Sequence, residues 1–267
     1  MVMITKANGE RVMFDQKRLF RSLVNAGASE ETANKVMGKI GLELHDGIST
    51  RKIYHMAFKL LRRLDSPTAS RYEIKWAMMR LGEKQGFSFE QYMARLFTKM
   101  GYNVIPNVIV NGKHISHEVD LVLEKDGERI MVECKHRSNP ATMIHVKVPL
   151  YIYARFLDLS EKYNKAWIVT NTRFTNQAIK YSNGVGIKLV GWDKSSDRSL
   201  QSLIDTYKVY PITVLRSVDK DTLTRLLNQN IVVVCEILEK PVQSLNRILG
   251  KEKAAKVIEE AKKLLKK

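Results

Sequence analysis

The dipeptide Asp126-Gly127 constrains this chain more than any other feature, because it separates two strand-like runs, EVDLVLEK and ERIMVECK. Asp-Gly is a favoured centre for a two-residue hairpin, whose turn needs positive φ at both positions. If Lys125 pairs with Glu128 across that turn, Asp120 falls opposite Glu133 and Glu118 opposite Lys135. Directly opposed side chains share a face, with Cβ atoms roughly 4.5–5.5 Å apart. Glu133 and Lys135 lie on that same face because side chains alternate along a strand. The other face carries Val119, Leu121 and Leu123, which can pack inside. A bulge would shift this register.

Two carboxylates brought together repel unless a cation lies between them. A divalent ion with oxygen ligands meets that need, so Asp120 and Glu133 are the candidate ligands of Mg²⁺ or Mn²⁺. Such an ion polarises a phosphodiester and lowers the pKa of a bound water, and Lys135 beside it can orient that water or stabilise developing charge. Spacing alone leaves a second reading open. The charged face can simply be solvated, with Glu118 and Lys135 an ordinary cross-strand ion pair.

The surrounding pattern has the length and rhythm of a multi-module α/β chain. ITKANGERVMFD reads as a short hairpin turning at Asn8-Gly9, and helices follow. Phe20, Leu23 and Val24 form one apolar face, and Ala33, Val36, Met37 and Ile40 another. Ser49 can cap a helix with apolar positions Ile53, Ala57, Leu60, Leu61 and Leu64. Ser66-Pro67 opens a helix that runs to near Gly82. Ser88 can cap the helix SFEQYMARLFTKM, which Gly101 closes. NVIPNVIV, the two hairpin runs, AWIVTN and GIKLVGW read as strands. A helical stretch kinked near Pro149 and the helix FTNQAIKYSN lie among them. DKDTLTRLLNQN, VQSLNRILG and KEKAAKVIEEAKKLL read as short helices. The expected domains are 1–84, 85–200 and 201–267.

A formal charge of +17 and a pI near 9.8 favour a polyanionic partner. Cys134 and Cys235 belong to no CxxC pair, so a disulfide scaffold and a zinc site are not expected, and a reducing cytoplasm is the simplest compartment. The sequence has no long apolar run for a membrane span and no hydrophobic signal core at MVMITKANGE, so neither a membrane partner nor secretion is expected.

Asp120 followed by Glu133-Cys134-Lys135 resembles the PD-(D/E)xK nuclease superfamily. The segments FSFEQYMARLFTKMGYNV and WIVTNTRFTNQAIKYSNGVGIKLVGWD are similar to the opening helix and the later strand–helix–strand of Mrr-like restriction endonucleases. The resemblance implies that Asp120 and Glu133 ligate metal, that Lys135 is catalytic, and that Glu90 is the family's helical acidic residue. Where many relatives carry glycines before the aspartate this chain has HISHEVD, which brings His114 and His117 near the site. The segments ITKANG, FDQKR, GISTRKI and WAMMRLG resemble the ATP-cone, a nucleotide-binding regulatory module. That resemblance implies contacts to ATP or dATP from Lys6, Asn8, Gly9, Lys17, Arg18 and Thr50. Ala7 departs from the basic residue common there. No GxxxxGK[ST] loop exists, so the nucleotide is expected as an effector. LTRLLNQNIVVVCEIL and SLNRILGKEKAAKVIEEAKKLL look like a helix-hairpin-helix module, which binds DNA backbone through hairpin amides and lysines, with Gly250 well placed.

The fold expected is therefore α/β. A restriction-endonuclease-like mixed sheet is flanked by helices, with a mostly helical N-terminal ATP-cone and a small all-α C-terminal module. The function expected is a metal-dependent DNA endonuclease modulated by ATP or dATP, working as a homodimer if it must cut both strands. Two other functions fit the sequence: a non-cleaving, nucleotide-responsive DNA-binding regulator, and a structure-specific DNA or RNA nuclease.

Overall fold

A computed structural model describes residues 2–6, 9–81, 87–192 and 199–265. The chain divides into two compact units, Met1–Ile74 and Lys75–Leu265.

In the first unit, β1 (Met3–Thr5) pairs antiparallel with β2 (Arg11–Met13), as the hairpin reading expects. Gly9 has φ 83, while Asn8 lies outside the described residues. The helices α1 (Gln16–Asn25) and α2 (Glu30–Glu43) follow, capped by Asp15 and Ser29, which accept from Arg18 N and Thr32 N. Next, β3 (Ile48–Ser49) adds parallel to β1, and Ser49 caps α3 (Thr50–Leu64) by accepting from Lys52 N. Leu23, Val36, Ile40, Ile53, Ala57 and Leu61 form the core. Leu64, expected on the buried stripe, is the last residue of α3 and is 46% exposed.

The helix expected from Ser66 to Gly82 is in fact two. It breaks at Glu73 between α4 (Ser66–Tyr72) and α5 (Ile74–Leu81), and Gly82 lies outside the described residues. The break falls at the unit boundary. Asp65 caps α4, and Arg71 Nε donates to Ala26 O at 2.7 Å, which ties α4 to the first unit. All of α5 after Ile74 belongs to the second unit.

The second unit continues with α6 (Phe87–Lys99), β4 (Asn103–Asn111), β5 (Ser116–Lys125) and β6 (Glu128–Lys135). Ser88 falls inside α6, and its side chain lies outside the described ones. Then come β7 (Met143–Ile144), α7 (Lys147–Asp158), β8 (Lys165–Thr170), β9 (Arg173–Phe174), α8 (Asn176–Val185) and β10 (Lys188–Val190). Five strands form one mixed sheet in the order β10-β8-β6-β5-β4, antiparallel through β4, β5 and β6 and parallel through β6, β8 and β10. Pro106 is tolerated because β4 is the edge. Pro149 does not kink α7. It lies in the first turn, where its missing N–H has no helical partner to lose. Helices α9 (Leu200–Tyr207), α10 (Lys220–Asn228), α11 (Val234–Glu239), α12 (Val242–Leu249) and α13 (Lys251–Leu265) complete the unit. The sequence reading did not separate α9 and α11. Tyr92 of α6 is fully buried and donates its hydroxyl to Val209 O at 2.5 Å, joining this region to the sheet's helix.

One side of the sheet packs Val119, Val122, Met131 and Ile168 against Ile152 of α7 and Ala178 of α8. Val119 and Val122 cannot both face that side under strict alternation. Asn107, the β4 residue level with Asp120, has φ 50, so the strand pattern is interrupted there. The expectation that Val119 shares a face with Leu121 and Leu123 is not met, because Val119 packs with Val122 in this cluster.

The far end of α7 is held by the β4–β5 turn. Asp158 accepts from His114 N at 3.0 Å, from Ile115 N at 3.4 Å and from His117 Nε2 at 2.7 Å. A Cβ on Gly112 would stand 2.0 Å from Asp158 Oδ2 and 2.8 Å from Ile115 O. Gly112→Ala should therefore cost about 1–3 kcal/mol through overpacking. Thermal unfolding should show a melting point lower by several degrees, and an unchanged melting point would contradict this account of the turn.

Candidate active site

The hairpin register is the expected one where it is formed. Lys125 pairs with Glu128, and pairing continues in step to Leu121 with Val132. Asp126 (φ 51) and Gly127 (φ 79) supply the two positive φ angles of the turn. Beyond Leu121 and Val132 the β5–β6 ladder ends, so Asp120 with Glu133 and Glu118 with Lys135 are not ladder pairs, a correction to the expected register. Side chains take over the backbone groups there. Asp120 Oδ2 accepts from Cys134 N at 2.7 Å, and Glu118 O accepts from Arg155 Nη1 at 3.0 Å. On its other edge β6 stays paired with β8 as far as Lys135 with Thr170. The acids therefore sit where one strand pair has parted while its neighbour holds.

Glu133 is only 3% exposed, and a buried carboxylate needs compensation. It has two cations: Lys135 Nζ on Oε1, and Arg155 Nη1 on Oε2 at 2.7 Å. Asp120 is half-buried. Burial first and the Glu133 charge second push its carboxyl up to about 6, against the pull of the Cys134 N–H, Lys135 and Arg155. Glu90 of α6 feels the same cluster. Burial pushes it up to about 7, with repulsion from Asp120, Glu118 and Glu133 adding to the rise. Raised carboxyl pKa values clustered in one place mark a region where negative charge is crowded.

The backbone after β6 is fixed from several sides. Thr170 Oγ1 donates to Lys135 O at 2.6 Å. Asn171 accepts from Arg137 N and donates to Arg137 O, both at 2.8 Å. His136 Nε2 donates to Met78 O of α5 at 2.9 Å. His117 is engaged with Asp158, and His114 is 84% exposed. Arg155 was missed by the sequence reading. Its signal is a cationic residue in the apolar run LYIYARFLDL, four positions after Tyr151.

Asp120 and Glu133 offer hard oxygen donors, with Glu90 in electrostatic reach. Among the described residues no three His, Cys, Asp or Glu side chains form a cluster that could hold a metal ion by themselves. Mg²⁺ does not require that, because it is usually bound through one or two carboxylates with waters and phosphate oxygens completing the shell. The crowded carboxylates of Asp120, Glu133 and Glu90 fit such an ion.

In the first unit the register places Thr50, at the start of α3, beside the chain that leaves β1 at Lys6. Lys6 Nζ pairs with Glu10 at 3.0 Å, and Gly9 N donates to Lys6 O at 3.0 Å. Lys17 and Arg18 are exposed in the first turn of α1. That helix leaves β2 at the end level with Met3, the strand end away from Lys6. Asn8 lies outside the described residues.

In the C-terminal helices, the amides of the first hairpin are already used. Glu236 accepts from Val232 N at 2.8 Å and Val233 N at 3.1 Å, and Arg95 of α6 holds Glu236 at 2.6 Å. The second hairpin turns at Gly250 (φ 82) between α12 and α13.

Comparison with known proteins decides what this arrangement belongs to. A family model described as restriction endonuclease, the Mrr catalytic type, matches residues 81–195. An uncharacterized protein of Archaeoglobus fulgidus is 40% identical over 175 residues, covering 65% of this chain and 99% of that protein. This chain belongs to one family with that Archaeoglobus fulgidus protein, and its residues 81–195 form a domain of the Mrr restriction endonuclease type. The ATP-cone model matches residues 2–81, and an AF1548-like C-terminal model matches residues 210–265. The crystal structure of AF1548, a protein of unknown function, superposes with a TM-score of 0.60 at 39% identity, covering 67% of this chain and 98% of that one. The Mrr-like domain is thus a nuclease domain of restriction-endonuclease-like fold, joined in one chain to an ATP-cone.

A charged Asp120 is disfavoured in the metal-free protein, because its folded pKa lies above its unfolded value near 3.9. Its stability contribution therefore falls as pH rises from about 4 to about 6. Asp120→Asn keeps an acceptor for Cys134 N and removes that charge. In EDTA at pH 8 it should stabilise the protein by about 1–2 kcal/mol, an effect that vanishes below about pH 4.5. Chemical denaturation at the two pH values measures this, and a destabilised variant at pH 8 would contradict it.

Proposed function

We propose that this protein is a metal-dependent endonuclease that hydrolyses DNA phosphodiester bonds, modulated by ATP or dATP at its N-terminal domain. The observation that carries the reading is the convergence of Asp120, Glu133 and Lys135 where β5 and β6 part, inside a restriction-endonuclease-type domain. Asp120 and Glu133 are the metal ligands, Lys135 is catalytic, and Glu90 is the accessory acid.

A bound Mg²⁺ or Mn²⁺ supplies Lewis acidity toward a phosphate oxygen and a water of lowered pKa. The residues do the rest. Asp120 is oriented by the Cys134 N–H, and Glu133 by its two cations. Lys135 Nζ is one-third exposed and placed to donate to the attacking water or to the developing phosphorane charge. Water oxygen attacks phosphorus in line, the opposite P–O bond breaks, and the leaving oxygen takes a proton. The sum is addition of one water across the diester.

The charge of +17 supports a polyanionic substrate. The second hairpin, with Lys251, Lys253 and Lys256 after Gly250, supports backbone contact from the C-terminal domain. The ATP-cone match supports nucleotide control, with Lys6, Asn8, Gly9, Lys17, Arg18 and Thr50 as contacts. Domains at 1–84, 85–200 and 201–267 would then carry nucleotide binding, cleavage and DNA docking. Two free cysteines agree with a cytoplasmic setting, and among the described residues no helix is long and apolar enough to cross a membrane. A homodimer would allow both strands to be cut.

Supercoiled plasmid incubated with Mg²⁺ should be nicked or linearised, EDTA should abolish this, and ATP or dATP should change the rate. Lys135→Ala should slow cleavage by about 10²–10³-fold. Equal nicking by both proteins would remove the proposed site, and nucleotide-sensitive DNA binding without cleavage would favour the regulator. Junction, single-stranded and RNA substrates run alongside would identify a structure-specific nuclease.

A further inference from the structure

We infer that Arg155 is a positioning residue of this site, which holds one Glu133 oxygen so that only the other is free to take a divalent cation. The inference rests on the nuclease reading above and adds a residue to it.

Three contacts lock the guanidinium. Nη1 donates to Glu133 Oε2 at 2.7 Å and to Glu118 O at 3.0 Å, and Nη2 donates to Tyr151 OH at 2.8 Å. The Tyr151 ring centroid lies 4.8 Å from the guanidinium carbon, a cation–π distance. The side chain is 11% exposed, and its buried Nε has no hydrogen-bond partner. Position is therefore set wholly by Glu133, Glu118 and Tyr151. The helix beneath is anchored three residues later, where Asp158 is gripped by the β4–β5 turn. Arg155 also replaces the missing ladder, giving Glu118 O the donor that β6 no longer supplies.

The two cations on Glu133 differ in kind. Lys135 is a point charge on a flexible stem, one-third exposed, and can leave Oε1 when a metal arrives. Arg155 is a planar fork held at once by Glu133, Glu118 O and Tyr151, and it stays. Glu133 then reaches an incoming cation with Oε1 alone, aimed rather than chelating. The fixed positive charge beside it also keeps metal affinity low. Arg155 thus trades metal affinity for a defined ligand direction.

The test is calorimetric titration of the full-length protein with MnCl₂, paired with plasmid cleavage across Mn²⁺ concentration. Arg155→Met should bind Mn²⁺ about tenfold more tightly, because a neighbouring charge is gone and the second oxygen is freed. At saturating Mn²⁺ its cleavage should be more than about tenfold slower, because the carboxylate is no longer aimed. Arg155→Lys restores the charge, so its Mn²⁺ affinity should return to within about threefold of the unsubstituted protein, with cleavage partly rescued. If Arg155→Met does not fold, Tyr151→Phe decides. Tyr151 is exposed, and losing its hydroxyl should move affinity and cleavage in the same directions by less. Unchanged Mn²⁺ affinity in Arg155→Met, or affinity and cleavage that weaken together, overturns the inference while leaving the nuclease reading intact. Absence of Mn²⁺ binding by the unsubstituted protein overturns both.

Discussion

The hydrogen bond from Cys134 N to the Asp120 carboxylate closes a gap that the sheet itself opens. An unpaired buried backbone N–H costs free energy comparable to a lost hydrogen bond, so a ladder cannot end inside a protein without a substitute partner. Here the substitute is an acid from the departing strand. That contact fixes the direction of Asp120 and ties it to the strand that carries Glu133 and Lys135. The placement of these acids is thus the fold's answer to a backbone problem, and β6 remaining paired with β8 on the opposite edge holds it.

A carboxylate as buried as Glu133 is a weak contributor to stability even with two cations, because desolvation offsets much of the Coulombic attraction. Apolar residues of the same volume would serve the core as well. Glu133, Asp120 and Glu90 nevertheless lie in one neighbourhood, with Asp120 and Glu90 pushed toward neutral pKa values, a crowding that clusters at functional sites. The surrounding bonds from Thr170, Asn171 and His136 hold the backbone from Lys135 to Arg137. The ATP-cone match runs to residue 81 and so includes α5, yet α5 after Ile74 belongs to the same compact unit as β6. One helix therefore belongs to the ATP-cone by sequence and to the second unit by packing.

Much of this was legible in advance. The Asp126-Gly127 turn dictated the hairpin and its register because both turn residues need positive φ, and they have it. Apolar spacing located α6 and its buried face of Phe89, Tyr92, Met93, Leu96 and Phe97. The strands and the mixed sheet followed from run length and β-branched content. Beyond the straight course of α7 at Pro149 and the separate helices α9 and α11, three things escaped. The β5–β6 ladder ends at Leu121 and Val132, where Asp120 takes the Cys134 N–H, and period-two reasoning carries a strand on without limit. Arg155 lies some twenty residues from Lys135 in sequence and meets Glu133 only because α7 packs across the sheet, so no local pattern announces it. The break at Glu73 follows from a choice between two cores, which helix periodicity cannot see.

The most direct test of the central claim is anomalous diffraction from a crystal soaked in MnCl₂. The account predicts a single Mn²⁺ peak bridging Asp120 and one oxygen of Glu133, each carboxylate oxygen within about 2.5 Å of the ion. A peak elsewhere on the protein, or Glu133 still held by both Lys135 and Arg155 at saturating Mn²⁺, would contradict it.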